Sequence, residues 1–278
     1  MTTWHPGLYV TATPLGNLGD LSPRAAEALR EAILIAAEDT RVTGRLARLA
    51  GSTARLVSLT EYNVEQRTAE VLAAAREGVA VLASDAGTPG VSDPGARLVA
   101  AAHAEHVRVV PIPGPSALAA AVSVAGFDSE IVVFAGFLPR KAGERRSRLV
   151  AITGPDRMAV CFEGRGRVGA LLGDVAEVLG DPEVVVCREL TKRHEEVVRA
   201  RASNLIERFA GGRGEFTVVI GPTASRPAEE SRAAAMLAAF KRAGARRSAA
   251  AAEVAKLTGA ERAALYALWE RLPGPDER

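Results

Sequence analysis

One loop in the first third of the chain combines an acidic residue with several glycines and prolines. The apolar run VAVLA (residues 79–83) leads directly into SDAGTPGVSDPG (residues 84–95). In open α/β sheets ligands bind beyond the carboxyl ends of the strands, which is where Asp85 would stand. Gly87 and Gly90 would let the backbone approach a ligand closely, and the loop is longer than a simple connection requires. The pattern predicts a ligand-binding loop.

The end of this loop has the composition of a helix start. Asp93 is a favourable N-cap residue, Pro94 suits the first helical position, and Leu98 and Val99 begin an apolar stripe. We therefore expect a helix to begin here with its N-terminus toward the loop. The alternative is that the glycine, proline and aspartate residues only form a tight turn.

Two further glycine loops follow predicted strands. Residues 13–20 follow the strand at 8–12, and residues 111–116 follow the strand at 107–110. Neither completes a G-x-G-x-x-G fingerprint or contains GK[ST], so neither a dinucleotide motif nor a phosphate loop is predicted. Polar residues, Glu38 and Asp39, also end the predicted strand at 33–37. A further predicted strand, at 55–59, also ends in polar residues, so five strand ends are expected to meet at one edge of a sheet.

The order of apolar runs predicts the fold. Strands alternating with helices predict an α/β fold with a parallel sheet, and a second α/β unit follows Phe127. Residues 225–230 have the composition of a linker, and alanine-rich helices with a helix-turn-helix spacing follow it. We expect an N-terminal α/β domain at 1–115, a second α/β domain at 116–224, and a helical extension at 225–278.

The amino-acid composition and the distribution of charge indicate the kind of partner, metal use and location to expect. The 278 residues carry a net charge of +2, but positive charge is concentrated at residues 140–148 and in the C-terminal part, which favours a polyanionic partner. Cys161 and Cys187 lie in separate apolar runs, and the four histidines have no metal-ligand spacing, so no metal site is expected. Neither a signal peptide nor a transmembrane run is evident, and we expect a cytoplasmic protein.

Six segments together resemble a known family. They are ATPLGNLGD at residue 12, AEDTR at 37, the loop at 84–95, PGPSA at 113, GFLP at 136 and RELTK at 188. This set resembles ribosomal RNA small subunit methyltransferase I, of the tetrapyrrole methylase superfamily, along nearly the whole chain. One departure is the run EGRGR at 163–167, where the family usually has a proline and a histidine.

The resemblance implies a two-domain class III methyltransferase fold, a homodimer, S-adenosylmethionine as cofactor, and a cytidine 2′-hydroxyl of small-subunit (16S) ribosomal RNA as acceptor. The implied cofactor-binding residues are Pro14, Leu15, Gly16, Asp85, Gly87, Thr88, Gly114, Ser116, Ala117 and Phe162. The candidates for the base that removes the hydroxyl proton are Glu38, Asp39, Glu163 and Lys192. Residues expected to contact RNA phosphates are Arg140, Lys141, Arg145, Arg146, Arg165 and Arg167.

Two other functions fit the same residues. The first is methylation of a tetrapyrrole, which uses the same fold but gives no role to the basic loops. The second is an RNA-binding or ribosome-assembly protein that has lost turnover, which the altered run at 163–167 would explain.

Overall fold

The computed structural model describes residues 3–93, 95–223 and 227–272. The strands are β1 (Gly7–Thr11), β2 (Ala32–Ala37), β3 (Arg55–Ser58), β4 (Val79–Ala83), β5 (Val109–Ile112), β6 (Ile131–Phe137), β7 (Arg157–Glu163), β8 (Glu183–Arg188), β9 (Glu196–Arg201) and β10 (Phe216–Ile220). The helices are α1 (Pro23–Glu31), α2 (Thr40–Leu49), α3 (Val64–Glu77), α4 (Ala96–Ala104), α5 (Ala117–Ala125), α6 (Ala142–Ile152), α7 (Val168–Leu179), α8 (Ala202–Phe209), α9 (Pro227–Arg242), α10 (Arg247–Thr258) and α11 (Arg262–Arg271).

The first five strands form one parallel sheet in the order β3-β2-β4-β1-β5. All five residues of β4 are buried, because apolar clusters cover both faces of the sheet. This explains why β4 is apolar throughout rather than alternating. The predicted parallel sheet is confirmed, and the carboxyl ends of its strands lie at one edge.

The second sheet has the order β6-β7-β10-β8-β9 and is mixed. Only β6 and β7 are parallel, whereas β10 runs antiparallel to β7 and β8, and β9 runs antiparallel to β8. Strand β9 was not predicted; it is an edge strand whose residues alternate between half-buried and exposed. Its polar outer face made it indistinguishable from a loop.

The predicted start of the helix after the glycine loop is wrong. Helix α4 begins at Ala96, and its N-cap is Gly95 with φ 136°, so Asp93 is not the cap. A Cβ at Gly95 would lie 2.8 Å from Leu82 Cδ2, which explains why glycine stands at this position. Pro94 lies outside the described residues. The Asp93 carboxylate therefore does not cap α4.

The C-terminal helices pack on one another around their own apolar cluster. A left-handed Gly259 joins α10 to α11, in agreement with the predicted helix, turn and helix. The predicted linker at 225–230 is too long, since α9 already begins at Pro227; residues 225 and 226 lie outside the described residues.

We retain the division into domains at 115/116 and 224/225 as a proposal. Among the described helices, none is long and apolar enough to cross a membrane.

Candidate functional site

A cavity of about 350 Å³ lies where the strand ends of the first sheet face the second sheet. Its size is within the usual range for a small-molecule site. The first sheet and its loops contribute Leu15, Glu38, Asp85, Ala86, Gly87, Thr88, Val91, Ser92 and Asp93. The rest of the wall consists of Ser116, Ala117, Phe137, Phe162, Glu163, Gly164, Cys187, Leu190, Glu215, Phe216 and Thr217.

Backbone hydrogen bonds fix the loop after β4 beside the loop after β1. The N–H of Thr13 donates to Gly87 O at 2.9 Å, and the N–H of Gly87 donates to Thr13 O at 3.0 Å. Gly87 has φ 88°, a conformation that a side chain would strain. The Thr88 hydroxyl donates to Pro115 O at 3.1 Å, which ties in the loop after β5. Three loops from distant parts of the chain thus form one wall.

The same loop also contacts the second sheet. Gly136 lies at an irregularity in the pairing of β6 with β7 and has φ 60°. A Cβ placed on Gly136 would lie 2.8 Å from Ser92 Oγ. The absence of a side chain here therefore lets the loop of the first sheet pack against β6. This contact brings the loop of the first sheet against the second sheet beside the cavity.

Three carboxyl groups from the first sheet converge on the cavity. Asp85 Oδ1 accepts a hydrogen bond from the N–H of Asp39 at 2.9 Å. Burial, followed by the charge of Asp85, raises the pKa of Glu38, and burial also raises the pKa of Asp85. Burial, followed by the charge of Glu38, raises the pKa of Asp93 to about 6. The charge of Arg41 offsets only part of this effect at Asp85, and the remaining negative charge suits a cationic ligand.

Two of the predicted bases are unsuited to that role. Hydrogen bonds from Arg41 to the Asp39 carboxylate lower its pKa to about 2, so Asp39 is a helix cap and a weak base. Although burial lowers the pKa of Lys192, hydrogen bonds to Glu215 and Glu189 outweigh it and raise that pKa. A lysine with a raised pKa stays protonated at neutral pH. Asp39 and Lys192 are therefore excluded as the base that removes the hydroxyl proton.

Glu163 is buried and held by Arg167. The guanidinium of Arg167 donates from Nε to Glu163 Oε1 at 2.6 Å, and the N–H of Gly164 donates to the same oxygen at 2.8 Å. Glu163 does line the cavity, but its carboxylate already has partners. Arg167 in turn is engaged with Glu163 and with Leu138 O, which leaves little of its guanidinium for RNA.

Seven of the ten predicted cofactor-binding residues line the cavity, and three do not. The lining residues are Leu15, Asp85, Gly87, Thr88, Ser116, Ala117 and Phe162. Pro14, Gly16 and Gly114 are absent from the wall. For two of them packing explains the residue type: a Cβ on Gly16 would lie 2.3 Å from Lys192 Cγ, and one on Gly114 would lie 3.0 Å from Ala12 Cβ.

The predicted RNA-binding residues divide into paired and unpaired groups. Arg145 is buried and its Nε donates to Asp174 Oδ2 at 2.6 Å, so it cannot reach a phosphate and this prediction is corrected. Arg146 pairs with Asp174 and Glu177. Lys141 is exposed and contacts Glu144. Arg140 and Arg165 are exposed and, within the part of the chain that the structure describes, have no ion-pair partner.

Several wall residues gave no signal in the sequence. Phe137 and Phe216 contribute aromatic faces from β6 and β10, and Phe137 packs edge to face against Phe162 at a centroid distance of 5.7 Å. An aromatic residue in a strand is most simply read as core. Asp93 was interpreted only as a cap. Its proximity to two carboxylates from other strands was the missing information.

The sequence profile of the family described as Tetrapyrrole (Corrin/Porphyrin) Methylases matches residues 7–206. The chain is 42% identical over 270 residues to ribosomal RNA small subunit methyltransferase I of Mesorhizobium japonicum, which covers 94% of this chain and 90% of that protein. The chain belongs to the ribosomal RNA small subunit methyltransferase I family of tetrapyrrole methylases. The Mycobacterium tuberculosis relative of the same name, from strain H37Rv, is 44% identical over 256 residues, or 89% of this chain and 88% of the relative.

Solved structures of tetrapyrrole methylases and diphthine synthases share this fold. Uroporphyrin-III-C-methyltransferase from Thermus thermophilus superposes with a TM-score of 0.56 at 20% identity, covering 78% of this chain and 94% of that one. A diphthine synthase gives 0.57 at 19% identity, over 77% and 89% of the two chains. The two-domain class III methyltransferase fold is therefore confirmed. Family membership makes this methylase an S-adenosylmethionine-dependent methyltransferase.

The cavity fits such a cofactor by its chemistry. S-adenosylmethionine carries a sulfonium and an ammonium, and the wall offers Glu38, Asp85 and Asp93 as carboxylates. Its adenine needs an apolar surface, which Leu15 and Phe162 can supply. The left-handed Gly87 keeps the loop backbone free of a side chain beside the cavity.

Proposed function

We propose that this methylase transfers a methyl group from S-adenosylmethionine to the 2′-hydroxyl of a cytidine ribose in small-subunit (16S) ribosomal RNA. The observation that carries the proposal is the cavity between the sheets, where Glu38, Asp85 and Asp93 have no ion-pair partner within the described residues. A cationic donor would supply the missing positive charge. Relatives named for a ribosomal RNA substrate are 40–44% identical and favour an RNA acceptor in the cytoplasm.

The bound cofactor supplies an already activated methyl group, so the protein acts mainly by positioning and desolvation. Asp85 would bind the ammonium or the ribose of the cofactor. The hydrogen bond from the Asp39 N–H fixes the Asp85 carboxylate at the strand edge. Phe137 and Phe162 would provide the apolar side of the cavity. A carboxylate in this cavity would then receive the proton that the ribose hydroxyl loses.

RNA binding would use the exposed arginines beside the cavity. Arg165 directly follows Gly164, which lines the cavity, and Arg140 begins the basic segment before α6. Since each neutralised phosphate releases counterions, binding should weaken steeply with salt. Lys141 would add to this charge because its contact with Glu144 is an exposed pair of little strength. We exclude Arg145 from this surface.

We also infer a homodimer. Strand β6 is at an edge of the second sheet, and its Ile131 and Val132 are exposed; Val124 on α5 is exposed as well. An exposed apolar edge strand is an aggregation hazard unless another chain covers it. Sedimentation should show a dimer for the intact protein and a monomer for Val132→Lys, with Leu49→Lys, an exposed apolar position on α2, as the matched control.

The decisive experiment uses methyl-labelled S-adenosylmethionine and small subunits isolated from cells without this modification. Ribose methylation protects the adjacent phosphodiester from alkali, so the label should appear in an alkali-resistant dinucleotide that begins with cytidine. Label on a base would overturn the ribose assignment. Cofactor binding by calorimetry and subunit binding without transfer would support the function without turnover, and transfer to a porphyrinoid instead would support tetrapyrrole methylation.

A further inference from the structure

A second cleft, of about 340 Å³, adjoins the first cavity. Its walls are the turn before α3, with Glu61 and Tyr62, and the start of α4, from Gly95 to Arg97. Asp93 lines both this cleft and the first cavity. Asp93 is therefore the residue at which the cleft and the cavity meet.

The cleft offers the contacts that an unpaired nucleotide requires. Tyr62 is 97% exposed, so its ring can stack on a base without losing packing in the protein. The Arg97 side chain is also largely exposed, and its 3.5 Å contact with Glu65 is an exposed ion pair of little strength. Helices α3 and α4 both begin beside the cleft, which adds partial positive charge for a phosphate.

We propose that this cleft binds the acceptor nucleotide, with Tyr62 stacked on an unpaired base, Arg97 at a phosphate, and Asp93 receiving the proton of the ribose hydroxyl. The inference rests on the proposed function and identifies how the same site binds its substrate. The ribose oxygen forms the bond to the methyl carbon while the carbon–sulfur bond breaks and its electron pair stays on sulfur. The hydroxyl proton moves to the Asp93 carboxylate and then to water.

The surroundings of Asp93 suit a base. Glu38 and Asp85 face it from the ends of β2 and β4, the Ser84 hydroxyl lies near it while donating to Gly87 O at 3.2 Å, and Glu61 and Arg97 share the cleft. Burial, the charge of Glu38 and, less strongly, that of Asp85 raise its pKa to about 6, against the partial opposition of Ser84. The carboxylate is then mostly ionised at neutral pH and more basic than an ordinary aspartate.

Asp93→Asn tests the proton transfer. We expect the single-turnover rate of methyl transfer at saturating substrates to fall by about 10²- to 10⁴-fold, the usual contribution of general-base catalysis. The pKa of Asp93 is about 6 in the free protein, and the positive charge of the bound cofactor lowers it, so the wild-type rate should rise with pH through a midpoint below 6 and this rise should be absent in the variant. Calorimetry should show that the variant still binds cofactor. A variant that keeps a third of the rate and the same pH profile would refute the role of Asp93.

Substitutions of Tyr62 and Arg97 test whether the cleft binds the acceptor nucleotide. Tyr62→Ala should raise the KM for small subunits by about tenfold, in the range of lost base stacking, with cofactor affinity unchanged, whereas Tyr62→Phe should keep the wild-type KM. Arg97→Ala should lower the slope of log affinity against log salt concentration by about one, and Arg24→Ala on the exposed face of α1 serves as control.

The outcomes separate the two proposals. If Tyr62→Ala and Arg97→Ala bind subunits as tightly as the wild type, the acceptor cleft is wrong even though ribose methylation stands. If the wild type does not methylate ribose at all, the proposed function itself fails.

Discussion

The N–H of Asp39 donates a hydrogen bond to Oδ1 of Asp85 at 2.9 Å, which joins the ends of β2 and β4. The side chain of Asp39 meanwhile caps α2 by accepting from the N–H of Arg41. One aspartate therefore fixes the other while starting a helix. As a result, the carboxylate of Asp85 has a defined position at the cavity wall before any ligand binds.

Asp85→Asn should weaken cofactor binding by about tenfold with little loss of stability. The amide oxygen can still accept from the Asp39 N–H, but the charge that would face a cationic ligand is gone. Asp85→Ala should in addition lower the free energy of unfolding by about 1–3 kcal/mol, because it leaves a partly buried N–H unpaired. Calorimetry and urea denaturation measure the two effects. Unchanged affinity in Asp85→Asn would place the cofactor elsewhere.

Gly16→Ala should lower the free energy of unfolding by about 1 kcal/mol, the upper value for partly exposed ion pairs such as those that Lys192 would lose. The added Cβ would lie 2.3 Å from Lys192 Cγ, so the lysine must leave its ion pairs with Glu189 and Glu215. Gly143→Ala is the matched control: among the residues that the structure describes, none has an atom within 4 Å of the new Cβ in α6, and alanine should stabilise that helix by about 0.5–1 kcal/mol. Equal stability of Gly16→Ala and the wild type would contradict the packing seen at Lys192.

Arg145→Ala should destabilise the fold by about 3 kcal/mol, because it removes one partner of a buried ion pair and leaves Asp174 with Arg146 alone. It should have no specific effect on RNA affinity. Arg140→Ala should weaken RNA binding and leave the stability of the fold unchanged. Its unfolding free energy should stay within about 0.5 kcal/mol of the wild type, and the salt dependence of RNA binding should fall by about one phosphate contact. Chemical denaturation and binding titrations in increasing potassium chloride separate these outcomes.

The stability of Asp93→Asn relative to the wild type should depend on pH. The folded pKa of about 6 exceeds the ordinary value of 3.8, so the folded state binds the proton more tightly than the unfolded state. This contribution to stability is fully present below pH 4 and is lost as the pH rises through 6. The variant should therefore be more stable than the wild type by about 1 kcal/mol at pH 8, a value reduced for partial solvent screening, and equal at about pH 3. Thermal unfolding at both pH values measures the difference, and a constant gap would contradict the raised pKa.

Local patterns in the sequence were sufficient for the first sheet and its loops. An apolar run followed by a carboxylate and glycines predicts a strand end at a ligand site, and Asp85, Gly87 and Thr88 do line the cavity. The glycines were harder to interpret. A sequence cannot distinguish Gly87, whose φ is positive beside the cavity, from Gly114, which makes room for Ala12.

Pairings between distant residues could not be predicted. Arg145 lies in a basic segment that resembles an RNA-binding patch, but its partner Asp174 is on α7, and only the packing of α6 on α7 brings the two together. Asp93 was assigned to a helix start because aspartate before proline commonly caps a helix. The backbone instead continues to Gly95, whose φ of 136° begins α4 and leaves the carboxylate at the cavity.

The position of β1 in its sheet has a consequence for biosynthesis. This strand pairs with β4 on one side and β5 on the other, so it has no partner until residues 79–83 have been made and lacks its second partner until residue 112. At about 5–20 residues per second, the apolar N-terminal segment remains unpaired for seconds. The nascent chain should therefore need a holding chaperone during that interval, and ribosome-bound intermediates shorter than about 120 residues should be sensitive to protease at β1.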